Sequence, residues 1–355
     1  MNWSILFPVI FAVAVYFIPH PCAIDPKGWI LLSIFSGTIV ASITKPFPMG
    51  PVSLAGLILC VFFGCFSFQD ALSGFSLPLI WMIVFVFLIS KSFSCTHLGE
   101  RIAFFFIKLC GKKTIGIGYG LAFSELLIAP LVPSSGARSG GIFFPIVNSI
   151  SKALGSTPEK KTSQTIGAFL IQVSFQANGI TSAMFLTAMA ANPLVQSMAQ
   201  KQDVAISWGQ WALVASVPGI ISLLAMPFVL YIISPPSIKK FPEAIDYAAA
   251  RLKEIGSVTR KEKIIICVFL MMLGMWIFGT ALKIDPVCAA LLGLLILIFT
   301  RVLKWNELLA EQEAWHTLIW MSCLVTMASY LQKYGVIDAL SAPMSQSIRG
   351  TSHAF

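Results

Sequence analysis

Residues Ala129-Pro130-Leu131-Val132-Pro133-Ser134-Ser135-Gly136-Ala137-Arg138-Ser139-Gly140-Gly141 put prolines, small polar residues and one arginine in the middle of an otherwise apolar stretch. A tip of small residues leaves backbone N–H groups free to point at a ligand. A helix starting near Ala137 adds the positive end of its dipole there. Such a tip suits a carboxylate, and the serine hydroxyls and free carbonyls suit a cation. Arg138 has two readings of equal weight. Its guanidinium can grip a carboxylate through two hydrogen bonds, or it can pair with Glu125 upstream. An ionisable residue at membrane depth costs several kcal/mol unless paired or hydrated, and it marks function by default. A second polar cluster, Asn178-Gly179-Ile180-Thr181-Ser182, interrupts the apolar run 165–191. Gly179 there predicts an unwound turn that opens carbonyls and side chains onto a shared cavity. Helix–helix packing through small and hydroxyl residues is the competing reading.

Other chemistries are poorly served. No G-x-x-x-x-G-K-S/T loop is present, so ATP has no visible docking site. The eight cysteines are scattered through apolar stretches without a Cys-x-x-Cys pair, and there are four histidines, so neither a zinc site nor a disulfide framework is expected. No nucleophile–base pair stands in the apolar runs. The chain therefore reads as a non-enzyme without a cofactor. The net charge of +9 is carried in short clusters between apolar runs. That is the pattern of the positive-inside rule and not of a nucleic-acid-binding stripe.

The elements that hold these clusters follow from composition. Hydrophobic residues make up 57% of the chain and charged residues 11%, too few charges for the surface of a soluble domain. Apolar runs approaching the roughly 20 residues needed to cross a bilayer occur at Trp3–Ile18, Trp29–Ile43, Pro51–Ser67, Pro78–Ser92, Thr165–Ala191, Trp208–Ile233, Ile264–Leu282, Pro286–Val302 and Trp315–Leu331. The first has no basic leader and no cleavage pattern, so it is expected to remain as a helix. The broken stretch 116–150 is expected to fold back as a re-entrant hairpin, because non-helical backbone at membrane depth must be satisfied by protein or water. With a cytoplasmic N-terminus and that hairpin, the basic residues of the loops before Trp315 divide 18 inside to 3 outside.

The chain also repeats itself. Leu79-Ile80-Trp81-Met82 recurs as Leu318-Ile319-Trp320-Met321, and the runs opened by Pro51-Val52 and Pro286-Val287 end in Phe68-Gln69-Asp70-Ala71-Leu72 and Trp305-Asn306-Glu307-Leu308-Leu309. Three landmarks in one order imply a structural repeat. The topology makes the two copies inverted, as in many secondary transporters. The expected fold is an all-α polytopic membrane protein. Residues 1–28 form a first transmembrane helix. Residues 29–234 form the first repeat, with the hairpin at about 116–150 and the interrupted helix at about 165–191. Residues 235–263 form a cytoplasmic linker with an amphipathic helix, and 264–355 an incomplete second repeat ending in a polar tail from Ser341.

Phe68–Ser76, Ala129–Gly141, Phe175–Asn192 and Ser234–Lys239 together resemble the divalent-anion/sodium symporter family, in its branch of 2-oxoglutarate/malate translocators. The likeness runs through nearly the whole chain. It implies secondary active transport of C4/C5 dicarboxylates, by exchange or cation-coupled symport, across a bacterial inner membrane, in a homodimer. The family's hairpin tip reads Ser-Asn-Thr and falls on Ser134, Ser135 and Gly136. Only its first residue is kept, and the backbone amides remain. The resemblance places substrate against Ser134, Ser135, Gly136, Arg138, Asn178, Gly179, Thr181 and Ser182, and a coupling Na+ near Ser134, Gly136 and Gly179. The family's second hairpin has no counterpart before Phe355, so the chain reads as C-terminally truncated. A channel or an inactive remnant are the alternative functions.

Overall fold

The computed structural model describes residues 3–19, 24–132, 134–157, 162–200, 203–240 and 243–341. Pro133, Lys160, Lys161, Lys201 and the polar tail after Ser341 lie outside them. The described residues are helical, with no strand beyond one isolated bridge. In order the helices are α1 (Trp3–Phe17), α2 (Pro26–Thr44), α3 (Met49–Phe62), α4 (Phe68–Ala71), α5 (Pro78–Ser94), α6 (Leu98–Cys110), α7 (Thr114–Ile128), α8 (Phe144–Ala153), α9 (Gly167–Met184), α10 (Ala191–Gln200), α11 (Trp208–Ile233), α12 (Glu243–Ile255), α13 (Arg260–Leu282), α14 (Pro286–Phe299), α15 (Trp305–Leu309) and α16 (Gln312–Lys333). Helices α2, α11 and α13 are long and apolar enough to cross a bilayer unaided.

Helix starts follow the local sequence. Asp25 and Asp285 accept from Lys27 N and Val287 N, each at 2.7 Å, ahead of a proline in the first turn. Ser207 and Thr259 close capping boxes with Gln210 and Glu262. The apolar run at 208–233 begins and ends with its helix. Lys91 lies in the last turn of α5, and Arg101 and Lys108 ride on the amphipathic α6, which sits at 66° to α5. Leu98, Ala103, Phe104 and Ile107 recur along one face of α6, a helical spacing diluted by charges and so missed by a search for apolar runs.

The same local geometry occurs twice. α2 and α13 both end on a lysine in the left-handed region, Lys45 at φ 50° and Lys283 at φ 54°. α3 and α14 both end in a Schellman turn, with Gly64 at φ 70° and Arg301 at φ 58°. In these turns Cys65 N donates to Cys60 O at 2.9 Å, and Val302 N to Leu297 O at 3.0 Å. A short helix with an acidic residue at its third position follows each time: Asp70 bonds Ser67 N at 3.3 Å and Glu307 bonds Lys304 N at 2.9 Å.

The helices cluster into two compact units, one within Met1–Val84 and Gln312–Phe355, the other Phe85–Glu311. The first is packed through small residues. A Cβ on Gly37 would lie 2.7 Å from that of Ala12, and one on Gly56 2.2 Å from Thr38 Oγ1. Its core gathers Leu31, Leu57, Cys60, Phe66, Met327 and Leu331. In the second unit, α9 packs between α7 and α11 around Ala122, Ala177 and Leu223. The linker helix α12 lies on α6 and buries Ala244 and Ala248.

Candidate functional site

The polar tip lies within the second unit, between α7 and α8. α7 stops at Ile128, and the backbone turns through Ala129–Leu131 before helix resumes at Ser135. Ser134 caps the new helix: its Oγ accepts Ala137 N at 3.1 Å and its carbonyl accepts Arg138 N at 3.0 Å. The amides of Ser135 and Gly136 fall in the first turn, where a helix has no internal acceptor for them. From Ala137 to Phe143 the coil widens into a π-helix, with Phe144 N bonding back to Ser139 O. Pro145 has no N–H, and its ring would collide with the Gly141 carbonyl in a straight α-helix. A widened turn ahead of it relieves that conflict.

Arg138 is 0% exposed and Glu125 1%. Nε of Arg138 donates to Glu125 Oε1 at 2.8 Å, Nη2 to Ser182 Oγ at 2.5 Å, and Nη1 to the carbonyls of Ala188, at 2.7 Å, and Val132. Four of the guanidinium's five N–H groups are thus spent inside the protein. Of the two readings of Arg138, the pairing with Glu125 is the one the geometry contains. Glu125 Oε1 also accepts Asn178 Nδ2 at 2.7 Å and Thr181 Oγ1 at 3.5 Å, and Asn178 Nδ2 reaches the Ser135 carbonyl at 3.2 Å. Ser135, Arg138, Asn178, Thr181 and Ser182 therefore form one network around Glu125. Ser134 and Gly136 sit at its tip. Gly179 touches none of these groups and is exposed, with nothing within 4 Å of where its Cβ would be. Among the described residues no cluster of three His, Cys, Asp or Glu could hold a metal ion. The oxygens on offer to a hard cation are the Ser134 hydroxyl and tip carbonyls.

One expectation needs correction. The helix is not unwound at Gly179; α9 continues to Met184 and breaks at Phe185, which is extended at φ −123°, ψ 135°. Glycine lowers helix propensity by about 1 kcal/mol but does not force a break. The break forms where other side chains take up the freed carbonyls. Asn192 Nδ2 donates to Ser182 O at 2.7 Å and Phe185 O at 2.9 Å. Trp211 Nε1 takes Ala183 O at 3.0 Å, and Thr187 Oγ1 reaches across to Pro130 O at 3.1 Å. Arg138 supplies the Ala188 carbonyl, so one side chain braces both interruptions. Asn192, Thr187 and Trp211 were not singled out from the sequence. A lone Asn before a proline, just past the end of the apolar run, was the available signal. Asn192→Leu is expected to strand two carbonyls at about 1–3 kcal/mol each. A lowered unfolding temperature in detergent would show it, and an unchanged one would remove Asn192 from this role.

Comparison with known proteins places this geometry in a lineage. The profile described as "Sodium:sulfate symporter transmembrane region" matches residues 1–355. YflS of Bacillus subtilis (strain 168) is 45% identical over 354 residues, covering 98% of this chain and 74% of that protein. "Dicarboxylate transporter 1, chloroplastic" of Spinacia oleracea is 43% identical, over 98% of this chain but 61% of its own length. The "Citrate/succinate antiporter" of Escherichia coli (strain K12) is 30% identical, over 99% of this chain and 76% of its own. The chain belongs to the family of sodium:sulfate symporter transmembrane regions.

Proposed function

We propose that the protein carries C4/C5 dicarboxylates across a bacterial inner membrane by secondary active transport. The observation that carries this reading is the buried lattice on Glu125 and Arg138, which ties a broken hairpin to an interrupted helix and leaves a strip of small residues open beside them. Gly136, Ala137, Gly140 and Gly141 on one arm and Gly179 and Ala183 on α9 are exposed. Substrate carboxylates bind to the amides of Ser135 and Gly136 and to the Ser134 hydroxyl, at the positive end of the following helix. Asn178, Thr181 and Ser182 hold that helix and α9 in register. Arg138 acts through them as a positioning residue, since its donors are already engaged. Relatives named as a dicarboxylate transporter and a citrate/succinate antiporter support this substrate class.

The doubled geometry of α2–α4 and α13–α15 supports two repeats of inverted topology, flanking the linker 235–263. It also supports a re-entrant path for 116–150, with the N-terminus in the cytoplasm. Gradient coupling takes the place of enzymatic or ATP-driven chemistry. The family description supports Na+ as the coupling ion, held by the Ser134 hydroxyl with tip carbonyls, and the assembly is a homodimer. The test is uptake of labelled 2-oxoglutarate or malate into proteoliposomes. Uptake should saturate and be accelerated by dicarboxylate trapped inside. An inward Na+ gradient that speeds uptake would assign the cation, and its lack of effect would leave counter-exchange. Linear, unsaturable flux would replace the carrier by a channel, and no flux at all would defeat the reading.

A further inference from the structure

The one β-bridge among the described residues lies outside the site, in the second unit. It pairs Lys113 with Lys240 in antiparallel fashion. Thr114 fixes the crossing from one side: its N donates to Lys239 O at 3.2 Å and its Oγ1 to Ile238 O at 2.5 Å. Residues opposed across an antiparallel bridge project to the same side, and like charges so placed repel. Lys112 and Lys239 flank the pair. All four are exposed, and none forms an ion pair with an acidic side chain among the described residues. The fold thus spends backbone and side-chain hydrogen bonds to hold Lys113 and Lys240 side by side, with Lys112 and Lys239 next to them in the chain.

The same point is the start of α7. Lys113 is its N-cap residue and supplies no side-chain cap. The amides of Ile115 and Gly116 consequently have no intrahelical acceptor, and the helix dipole adds positive potential. Lysines that repel one another beside a helix N-terminus describe a receptor for a phosphate. The neighbouring surface decides which phosphate. Leu109 at the end of α6 is 66% exposed and Ile233 at the end of α11 73%, each a few residues along the chain from the lysines. A soluble phosphate has no use for that apolar surface, whereas a lipid covers it with acyl chain.

We propose that Lys112, Lys113, Lys239, Lys240 and the N-terminus of α7 form a binding site for the headgroup phosphate of an anionic phospholipid. The test is native mass spectrometry of the full chain released from micelles supplied with phosphatidylglycerol or phosphatidylcholine. A basic residue at a membrane surface contributes about fivefold in anionic-lipid affinity. The wild-type protein should therefore retain phosphatidylglycerol at least tenfold over phosphatidylcholine, and Lys113→Gln/Lys240→Gln should lose most of that preference. Lys45→Gln, on the other unit, should keep it. In lipid-free detergent the double variant should unfold no earlier than wild type, since repulsion has been relieved, while added phosphatidylglycerol should raise the wild-type midpoint more. Equal retention of the two lipids, or an undiminished preference in the double variant, would overturn the proposal. So would full displacement of the lipid by millimolar inorganic phosphate, which would make the site one for free anions. Earlier unfolding of the double variant without lipid would make the lysines structural and overturn it as well.

Discussion

Arg138→Ala is expected to abolish dicarboxylate uptake and to lower stability more than any other single truncation in the second unit. The substitution removes four donors at once. The Glu125 carboxylate loses its charge partner while 1% exposed, and truncating one member of a buried ion pair costs about 3–5 kcal/mol. The carbonyls of Val132 and Ala188 lose their donor too, at about 1–3 kcal/mol each. Against a typical total of about 5–15 kcal/mol, the loss is large enough to empty the folded state. Arg138→Met combined with Glu125→Leu separates the causes. With both charges gone, most of the stability should return, because matched apolar replacement of a buried pair is close to neutral. Uptake should stay absent, because the tip is no longer anchored to α9. The measurements are unfolding temperature in detergent and initial uptake rate in proteoliposomes. A single variant with wild-type values of both would remove the lattice from the mechanism. A double variant as unstable as the single one would show that the carbonyls, not the charges, dominate.

The contrast between site and scaffold explains what could be read in advance. Apolar run length locates helices wherever lipid-like composition is unbroken, and α11 and the start of α14 fall where the runs do. It fails on α6, whose charges cut the run while its buried face keeps helical spacing. The tip was legible because proline and glycine have local consequences. Ser134 caps the helix that follows the turn, and the π-turn before Pro145 follows from a missing N–H. The break in α9 was not legible at its true place. Gly179 is permissive, but whether a helix opens depends on who takes its carbonyls. The answer lies in Asn192, Arg138 and Trp211, which are 7 to 50 residues from the carbonyls they serve. Such pairings are tertiary, and no local rule contains them. Arg138 shows the same limit. Its type announced a buried partner, and its two candidate partners could be separated only by counting donors in three dimensions.

Gly74→Ala should also be damaging, though less so than Arg138→Ala, for a reason unrelated to charge. The first unit has few polar networks and is held by close approaches of backbone. Gly74 lies in the turn Ser73–Ser76 that docks on α16, and its N–H donates to Thr326 Oγ1 at 3.0 Å. A Cβ there would stand 2.3 Å from the Ser322 carbonyl oxygen and 2.5 Å from Thr326 Oγ1. The carbonyl belongs to an intact helix and cannot rotate away, so the turn must lift off α16. Overpacking of this kind costs about 1–3 kcal/mol, and a buried N–H left without its acceptor adds about 1–3 kcal/mol more. Trimming Thr326 to serine keeps the hydroxyl that the Cβ would meet, and the Ser322 carbonyl stays in place, so that change rescues little. Gly140→Ala is the matched control, since a Cβ at that position meets nothing within 4 Å. It should leave the unfolding temperature unchanged while Gly74→Ala lowers it by several degrees. If the two alanine variants melted together, close backbone contact would not be what joins this turn to α16.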